Sequence, residues 1–183
     1  VIPGVDRRSL PPESWDDDEK WKIERSKEAE DTIRSHITAH LLDPQTLAFG
    51  LADSPVATAA WIWERRRNWS DNTGDVEQSF TREHLCTTAS LYWCTDTIGS
   101  SLRLYHEHFK KPWPLVHDRI PRLEAPTGLA VFPKDVVHLP HSILNEYTNL
   151  QHYTVMPEGG HFAAAEKPEL ATEDIQKFFR PLR

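Results

Sequence analysis

The sequence predicts an α/β protein with a parallel sheet near the C-terminal end and a mostly helical region before it. Two short apolar runs, Thr127–Phe132 and Leu150–Met156, are each followed by a proline, which is typical of buried strands that end in a loop. The helical region includes residues 23–42 and 82–109, where apolar residues recur every three or four positions. A parallel sheet is covered by helices and normally has more than two strands, so we expect further strands in sequence outside this chain.

Composition excludes several classes of protein. The chain has 183 residues, a formal net charge of -7 and a pI near 5.8, which argues against nucleic acid as a partner. Cys86 and Cys94 lie about 12 Å apart along one predicted helix, so no disulfide scaffold is expected. No apolar run approaches the ~20 residues that span a bilayer, so we expect a cytoplasmic chain, with an upstream membrane anchor left open. Because Met156 is the only methionine, residue 1 is not a translation start and we expect a longer parent protein.

The first predicted helix carries two histidines beside its apolar face. Residues 1–22 are proline-containing and acidic, and we expect them to be an exposed lead-in segment. In residues 23–42, His36 and His40 border the apolar stripe and can face whatever it packs on. Glutamate would follow the first histidine in a zinc-protease helix, but Ile37 stands there, so no metal site is expected. The stripe consists of Ala29, Ile33, Ile37 and Leu41.

Two further helices have clear start signals. Ser54 and Pro55 predict a helix that extends to about Trp69, with its tryptophans in the core and Arg65–Arg67 on a solvated face. Thr81 predicts the start of a long helix to Phe109, weakened at residues 99–101 by glycine and serine. Its later stripe contains Ile98, Leu102, Tyr105 and Phe109, so Tyr105 is either a core residue or a hydroxyl donor. Residues 112–126 contain four prolines and predict a linker.

The loops after the two predicted strands each carry a titratable side chain. Asp135 follows the first strand, and His161 follows the second after Gly159 and Gly160. Glycines permit backbone conformations that aim a bulky side chain off a strand end. Ligands bind beyond the carboxyl ends of parallel strands, where these two loops meet, so Asp135 and His161 are predicted to form an acid and base pair.

Several motifs resemble one known family. F-P-K-D at 132–135, G-G-H-F-A-A at 159–164 and E-K-P-E-L at 166–170 are similar to the C-terminal part of α/β-hydrolase-fold epoxide hydrolases, nearest the microsomal and fungal type. P-Q-T-L-A-F-G-L-A-D-S-P-V at 44–56 and L-Y-W-C-T-D-T-I-G-S-S at 91–101 also resemble that family. The resemblance implies that residues 23–111 form a helical cap and residues 127–183 the C-terminal part of the hydrolase core.

The resemblance also implies a reaction and a set of roles. Such enzymes open an epoxide by forming an alkyl-enzyme ester with a core aspartate and then hydrolyse that ester, without a metal or organic cofactor. His161 matches the general base, Asp135 the acid that orients it, and Tyr105 one of two hydroxyl donors to the epoxide oxygen. His36 stands where the family has its second tyrosine, which is a departure, and His40 one turn later remains an alternative.

The nucleophile is not found in this chain. Neither the G-x-S-x-G elbow, its aspartate version, nor an H-G-x-P loop occurs in the sequence, so we expect the N-terminal half of the same fold to be the necessary partner. The expected ligand is a small epoxide, and a homodimer is left open. Two other hypotheses remain: an ester or haloalkane hydrolase that uses the same acid and base pair, and a non-catalytic lid or interaction module.

Overall fold

The computed structural model describes Ile2 and residues 4–183, which divide into two compact units. The α/β unit combines the residues up to Glu28 with Pro114–Arg183, and the helical unit is Ala29–Trp113. The described residues contain eight α-helices and two β-strands. In chain order they are α1 (Lys20–Leu42), α2 (Pro44–Ala52), α3 (Pro55–Trp69), α4 (Arg82–Cys94), α5 (Ile98–Lys110), β1 (Leu123–Val131), α6 (His141–Tyr147), β2 (Thr148–Val155), α7 (Ala163–Glu166) and α8 (Pro168–Phe179).

The two strands of the α/β unit pair in parallel, as predicted. Val131 lies opposite Val155 at their carboxyl ends, and an isolated bridge from Lys134 to Gly160 continues this alignment beyond the strands. The predicted start of the first strand at Thr127 is too late, because the prediction ends the linker at Pro126, whereas β1 begins at Leu123. Instead, a shift in register next to Pro126 accommodates the missing N–H, so β1 begins in the predicted linker.

The core of the α/β unit lies between the sheet and the C-terminal helices. Phe132, Met156 and Ala171 form its buried centre. Helix α8 approaches β1 closely at Gly128, where a Cβ atom would lie 2.8 Å from the ring of Phe178. A side chain at this position would therefore displace the helix from the strand.

Most described residues before α1 are exposed or half-buried, but the prediction of an exposed lead-in over residues 1–22 is wrong at three positions. Ile2, Glu19 and, in the first turn of α1, Lys22 are buried, and the Lys22 side chain is only 1% exposed. Lys22 Nζ donates hydrogen bonds to the Glu19 carboxylate and, at 2.7 Å, to Tyr153 Oη. The Glu19 carboxylate also accepts the backbone N–H of His141 at 3.0 Å. A buried charge requires such partners. Tyr153 and His141 lie more than a hundred residues from Lys22 and Glu19, so local composition did not reveal the burial.

The helical unit has its own apolar core between α2 and α5. Ala48, Leu51, Ile98 and Leu102 are its buried members. The predicted helix starts are confirmed: Ser54 Oγ accepts the N–H of Ala57, and Thr81 Oγ1 accepts the N–H of His84. No helix among residues 4–183 has both the length and the apolar character needed to cross a membrane.

The predicted long helix is two helices, α4 and α5, separated at residues 95–97. Asp96 has φ +52°, in the left-handed region, and the Thr95 hydroxyl bonds the Leu91 carbonyl while also contacting the Thr97 hydroxyl. These side-chain bonds compete with helical hydrogen bonds, so the break lies before the predicted weak point. Phe109 is also exposed, and the predicted apolar stripe ends before it.

Candidate active site

The predicted acid and base pair is present at the carboxyl edge of the sheet. His161 Nδ1 lies 2.8 Å from Asp135 Oδ1. The Lys134 N–H donates to the Gly159 carbonyl at 2.9 Å and joins the two loops. The predicted meeting of the two side chains is therefore confirmed, whereas their catalytic role stays a prediction.

Gly159 allows the sharp turn that places the histidine. Its φ is +108°, and a Cβ atom there would lie 2.6 Å from Phe132 Cδ1. Both the left-handed backbone and the close contact therefore require glycine. The neighbouring Gly160 is not among the residues with positive φ, so the turn depends on one glycine where the sequence suggested two.

Glu166 stabilises the same turn, and sequence reasoning missed this role. Its carboxylate accepts the N–H of Gly160 at 3.0 Å and the N–H of Phe162 at 2.9 Å. Charge-assisted bonds of this kind hold a loop more firmly than neutral ones. The spacing of Glu166 from the glycines was a possible signal, since a carboxylate four to six residues after a turn can reach back to its amides.

The electrostatics favour an ionised Asp135. Burial alone would raise the pKa of Asp135, but the hydrogen bond and charge of His161 and the N–H of Val136, 2.6 Å from Oδ1, lower it. The side chains of His161 and Asp135 are 41% and 33% exposed. An ionised Asp135 accepts a hydrogen bond from Nδ1–H, so this tautomer presents Nε2 as a proton acceptor.

The helical unit brings together the other predicted site residues. His36 Nε2 lies 3.3 Å from Tyr105 Oη. The rings of His36 and His40 are 4.0 Å apart, and the His40 ring stands edge-on to Tyr105 at 4.6 Å. Both histidines are buried, as the helical pattern suggested. The structure therefore keeps both in one cluster, but the hydrogen bond to the phenol belongs to His36.

Two tryptophans enclose this donor cluster, defined as His36, His40 and Tyr105. Trp61 stacks on His36 and on His40, while Trp69 stands edge-on to His36. Trp69 is buried, which agrees with its predicted place in the core. These contacts hold the imidazoles by ring packing.

Arg65, predicted to lie on the surface, contacts a tryptophan that encloses this cluster. The Arg65 guanidinium lies 3.8 Å from the centre of the Trp61 ring, and its side chain is only 12% exposed. The prediction of a solvated face is therefore wrong for Arg65, because attraction to the aromatic face compensates for lost hydration. Arg67 remains exposed.

Protonation within the donor cluster follows from burial. Burial, with a smaller effect of Tyr92, raises the pKa of Tyr105, so its phenol keeps its proton. Burial and then the charge of Arg65 lower the pKa of His40 to about 4. Neither ring nitrogen of His40 has a hydrogen-bond partner among the described residues. Residues 4–183 contain no group of three or more metal-binding side chains.

Adjacent parallel strands followed by an acid and a histidine, together with a separate helical unit, define the C-terminal arrangement of an α/β-hydrolase fold. The structure is similar to that of Aspergillus niger epoxide hydrolase, with a TM-score of 0.75 at 27% identity, covering 100% of this chain and 44% of that one. It is also similar to juvenile hormone epoxide hydrolase from Bombyx mori, with a TM-score of 0.69 at 28% identity, over 80% and 39% of the two chains.

Sequence comparison identifies the family. The chain is 39% identical to Epoxide hydrolase 1 of Sus scrofa over 142 residues, which are 74% of this chain and 31% of that protein. Epoxide hydrolase 1 of Oryctolagus cuniculus is 38% identical over 143 residues, at the same two coverages. No protein-family model matches. The chain spans about a third of the length of these relatives. It belongs to the epoxide hydrolases of the α/β-hydrolase fold and contains their cap and last strands.

Proposed function

We propose that this chain is part of an enzyme that opens a small epoxide to a vicinal diol through an alkyl-enzyme ester. The contact between His161 Nδ1 and Asp135 Oδ1 carries the proposal. Nε2 of His161 removes a proton from water as the water oxygen attacks the ester carbonyl. The Asp135 carboxylate holds the ring in the correct tautomer and stabilises the imidazolium. As the ester C–O bond breaks, His161 gives this proton to the leaving alkoxide. The carboxylic acid formed in the same step releases its proton, which neutralises the alkoxide left by ring opening, so the products are the diol and the regenerated carboxylate.

The donor cluster acts in the earlier step, in which a carboxylate opens the epoxide ring. The bond from the ring carbon to oxygen breaks, and negative charge develops on that oxygen. Tyr105 stabilises this charge by donating a hydrogen bond from its hydroxyl group. The raised pKa of Tyr105 keeps the proton on the phenol oxygen. His36, 3.3 Å from the phenol, assists by donating to the same oxygen or to Tyr105 Oη. This explains how a histidine can occupy the second tyrosine position.

The carboxylate nucleophile comes from an N-terminal half of the same fold. This chain covers 31% of its curated relatives, and its sequence has no nucleophile elbow. The proposed partner of the chain is therefore a segment with the remaining strands. No cofactor takes part in the proposed reaction, because carboxylate, imidazole and phenol supply all the proton and electron-pair movements.

The test replaces the proposed base in the full-length protein. His161→Gln should slow turnover of a styrene-type epoxide by about 10³-fold, because only the second step lacks its base. Rapid-quench mass spectrometry should show the ester accumulating on the enzyme with the mass of one substrate molecule. His108→Gln, which changes an exposed histidine on α5, is the control. Turnover by His161→Gln at the wild-type rate would reject the proposed function.

A further inference from the structure

An arginine from α1 binds the main chain of the loop that carries Asp135. Arg25 Nη2 donates to the Lys134 carbonyl at 2.8 Å, and Nε lies 3.2 Å from both the Lys134 and Asp135 carbonyls. The Arg25 side chain is 14% exposed. Its contact with the Glu28 carboxylate, at 3.5 Å, is long. The guanidinium is therefore directed mainly at two successive carbonyl groups.

A buried histidine lies three residues after Asp135 in the same loop. The His138 ring stands edge-on to Trp21, with ring centres 5.1 Å apart. Burial, helped by the positive charges of Lys22 and Arg25, lowers the pKa of His138 to about 4 despite the opposing charge of Asp135. His138 is therefore neutral at pH 7, and Arg25 is the side chain that bonds the carbonyls of this loop.

These contacts determine where the Asp135 carboxylate points. The carbonyl groups on both sides of the Asp135 Cα are held, and Oδ1 is shared between the Val136 N–H at 2.6 Å and His161 at 2.8 Å. Rotation of either peptide plane would move the carboxylate away from the imidazole. A displacement of about 1 Å at a reacting group can cost roughly 10²-fold in rate.

We propose that Arg25 is a positioning residue for the His161–Asp135 pair. Arg25 fixes the backbone of the acid loop and thereby the orientation of the proton acceptor on His161. This inference rests on the proposed function, because it assigns Arg25 an effect on ester hydrolysis and none on ester formation.

The first turns of α1, which belong to the α/β unit, have a second set of contacts besides those of Arg25. Lys22, one turn earlier on α1, is buried and is bonded to Glu19 and Tyr153. Helix α1 therefore keeps an independent anchor when Arg25 is replaced. A variant of Arg25 should change the acid loop more than the fold.

The experiment measures the two chemical steps separately in the full-length enzyme. Arg25→Met keeps the length of the side chain but removes its donors, and Arg25→Lys keeps the charge with a single donor group. In single-turnover measurements, Arg25→Met should slow ester hydrolysis by about 10- to 100-fold, with ester formation within twofold of wild type. Arg25→Lys should show an intermediate loss. The pH dependence of hydrolysis should also shift, because the imidazolium loses stabilisation.

Arg34→Met is the matched control, because Arg34 is an exposed residue of the same helix that pairs with Glu30 at 3.3 Å. It should leave both steps unchanged. Added ethylguanidinium should restore hydrolysis to Arg25→Ala, since it can occupy the vacated space. A purely structural role would not predict this rescue.

The other outcomes of these experiments reject either the positioning role of Arg25 or the proposed function, and they distinguish between the two. If Arg25→Met and Arg25→Lys hydrolyse the ester within twofold of wild type while His161→Gln accumulates it, the role of Arg25 is rejected and the proposed function stands. Equal slowing of both steps also rejects positioning. If Arg25→Met fails to fold, Arg25→Lys decides by the same criterion. Wild-type turnover by His161→Gln would instead reject the proposed function.

Discussion

The two units hold their candidate functional groups by different forces. In the α/β unit, His161 and Asp135 are partly exposed and are oriented by hydrogen bonds to loop backbone. In the helical unit, His36 and His40 are buried and are held mainly by ring packing against aromatic neighbours. Directional bonds suit a pair that moves a proton, whereas a dry aromatic environment strengthens a donor that stabilises charge.

The α/β unit also contains a second pair of histidine and aspartate. His152 Nε2 lies 2.8 Å from Asp174 Oδ1, which also accepts the Thr154 hydroxyl at 2.9 Å. This pair joins β2 to α8, and Asp174 is buried. Contact between an imidazole and a carboxylate therefore does not define a site by itself. Placement beyond the carboxyl ends of the two strands distinguishes the first pair.

The largest expected effect separates these two pairs. Asp135→Asn should slow ester hydrolysis by about 10³-fold, because an amide can favour the wrong histidine tautomer. Asp174→Asn should leave the rate constant of hydrolysis within twofold of wild type, although it lowers the melting temperature. Single-turnover kinetics and thermal unfolding of both full-length variants provide the measurements. Equal catalytic loss in the two variants would contradict the distinction.

The next effect tests the helical unit. Tyr105→Phe should slow ester formation by about 10²-fold, since one donor to the developing alkoxide is lost. Tyr147→Phe is the control. Formation and hydrolysis rates from rapid-quench experiments should show that only the first step changes. An unchanged rate would favour the ester or haloalkane hydrolase hypothesis, in which no phenol needs to stabilise a ring oxygen.

A smaller effect concerns the turn before His161. Gly159→Ala should lower the free energy of unfolding by about 2–3 kcal/mol, because it combines left-handed strain with a contact against Phe132. Gly74 also has positive φ, +112°, but a Cβ atom there would meet nothing within 4 Å. Gly74→Ala should therefore show the strain alone, about 1 kcal/mol. Chemical unfolding of both variants measures the difference, and equal losses would contradict the contact.

A gradual effect is the pH dependence of stability from His40. Its pKa is lowered from 6.5 to about 4, so the unfolded chain binds the proton first as the pH falls. Stability should decrease between pH 6.5 and 4 by roughly 1 kcal/mol per pH unit, and His40→Leu should reduce this slope in urea unfolding measured across that range.

His36→Leu should slow ester formation about 10-fold, whereas His40→Leu should not. The reverse result would assign the second donor to His40.

Much of this arrangement follows from short stretches of sequence. Ser54 and Thr81 start helices through bonds to amides three residues away, and the prolines after both strands indicate where loops begin. The position of Asp135 and His161 after neighbouring strands was sufficient to predict that they meet. Such signals depend on neighbours in the chain, so the order of residues already contains them.

The amino-acid sequence by itself determined the parallel pairing of the two strands, the helix starts at Ser54 and Thr81, and the pairing of His161 with Asp135. Only the tertiary structure decided that Lys22 is buried, that Arg65 covers Trp61 and that Arg25 binds the acid loop. The residues next to a lysine or arginine in the sequence do not show whether its side chain lies on the surface or in a buried pair. Its environment depends on partners that folding brings from distant parts of the chain, or from neighbouring turns of a helix, and on the desolvation that those partners compensate.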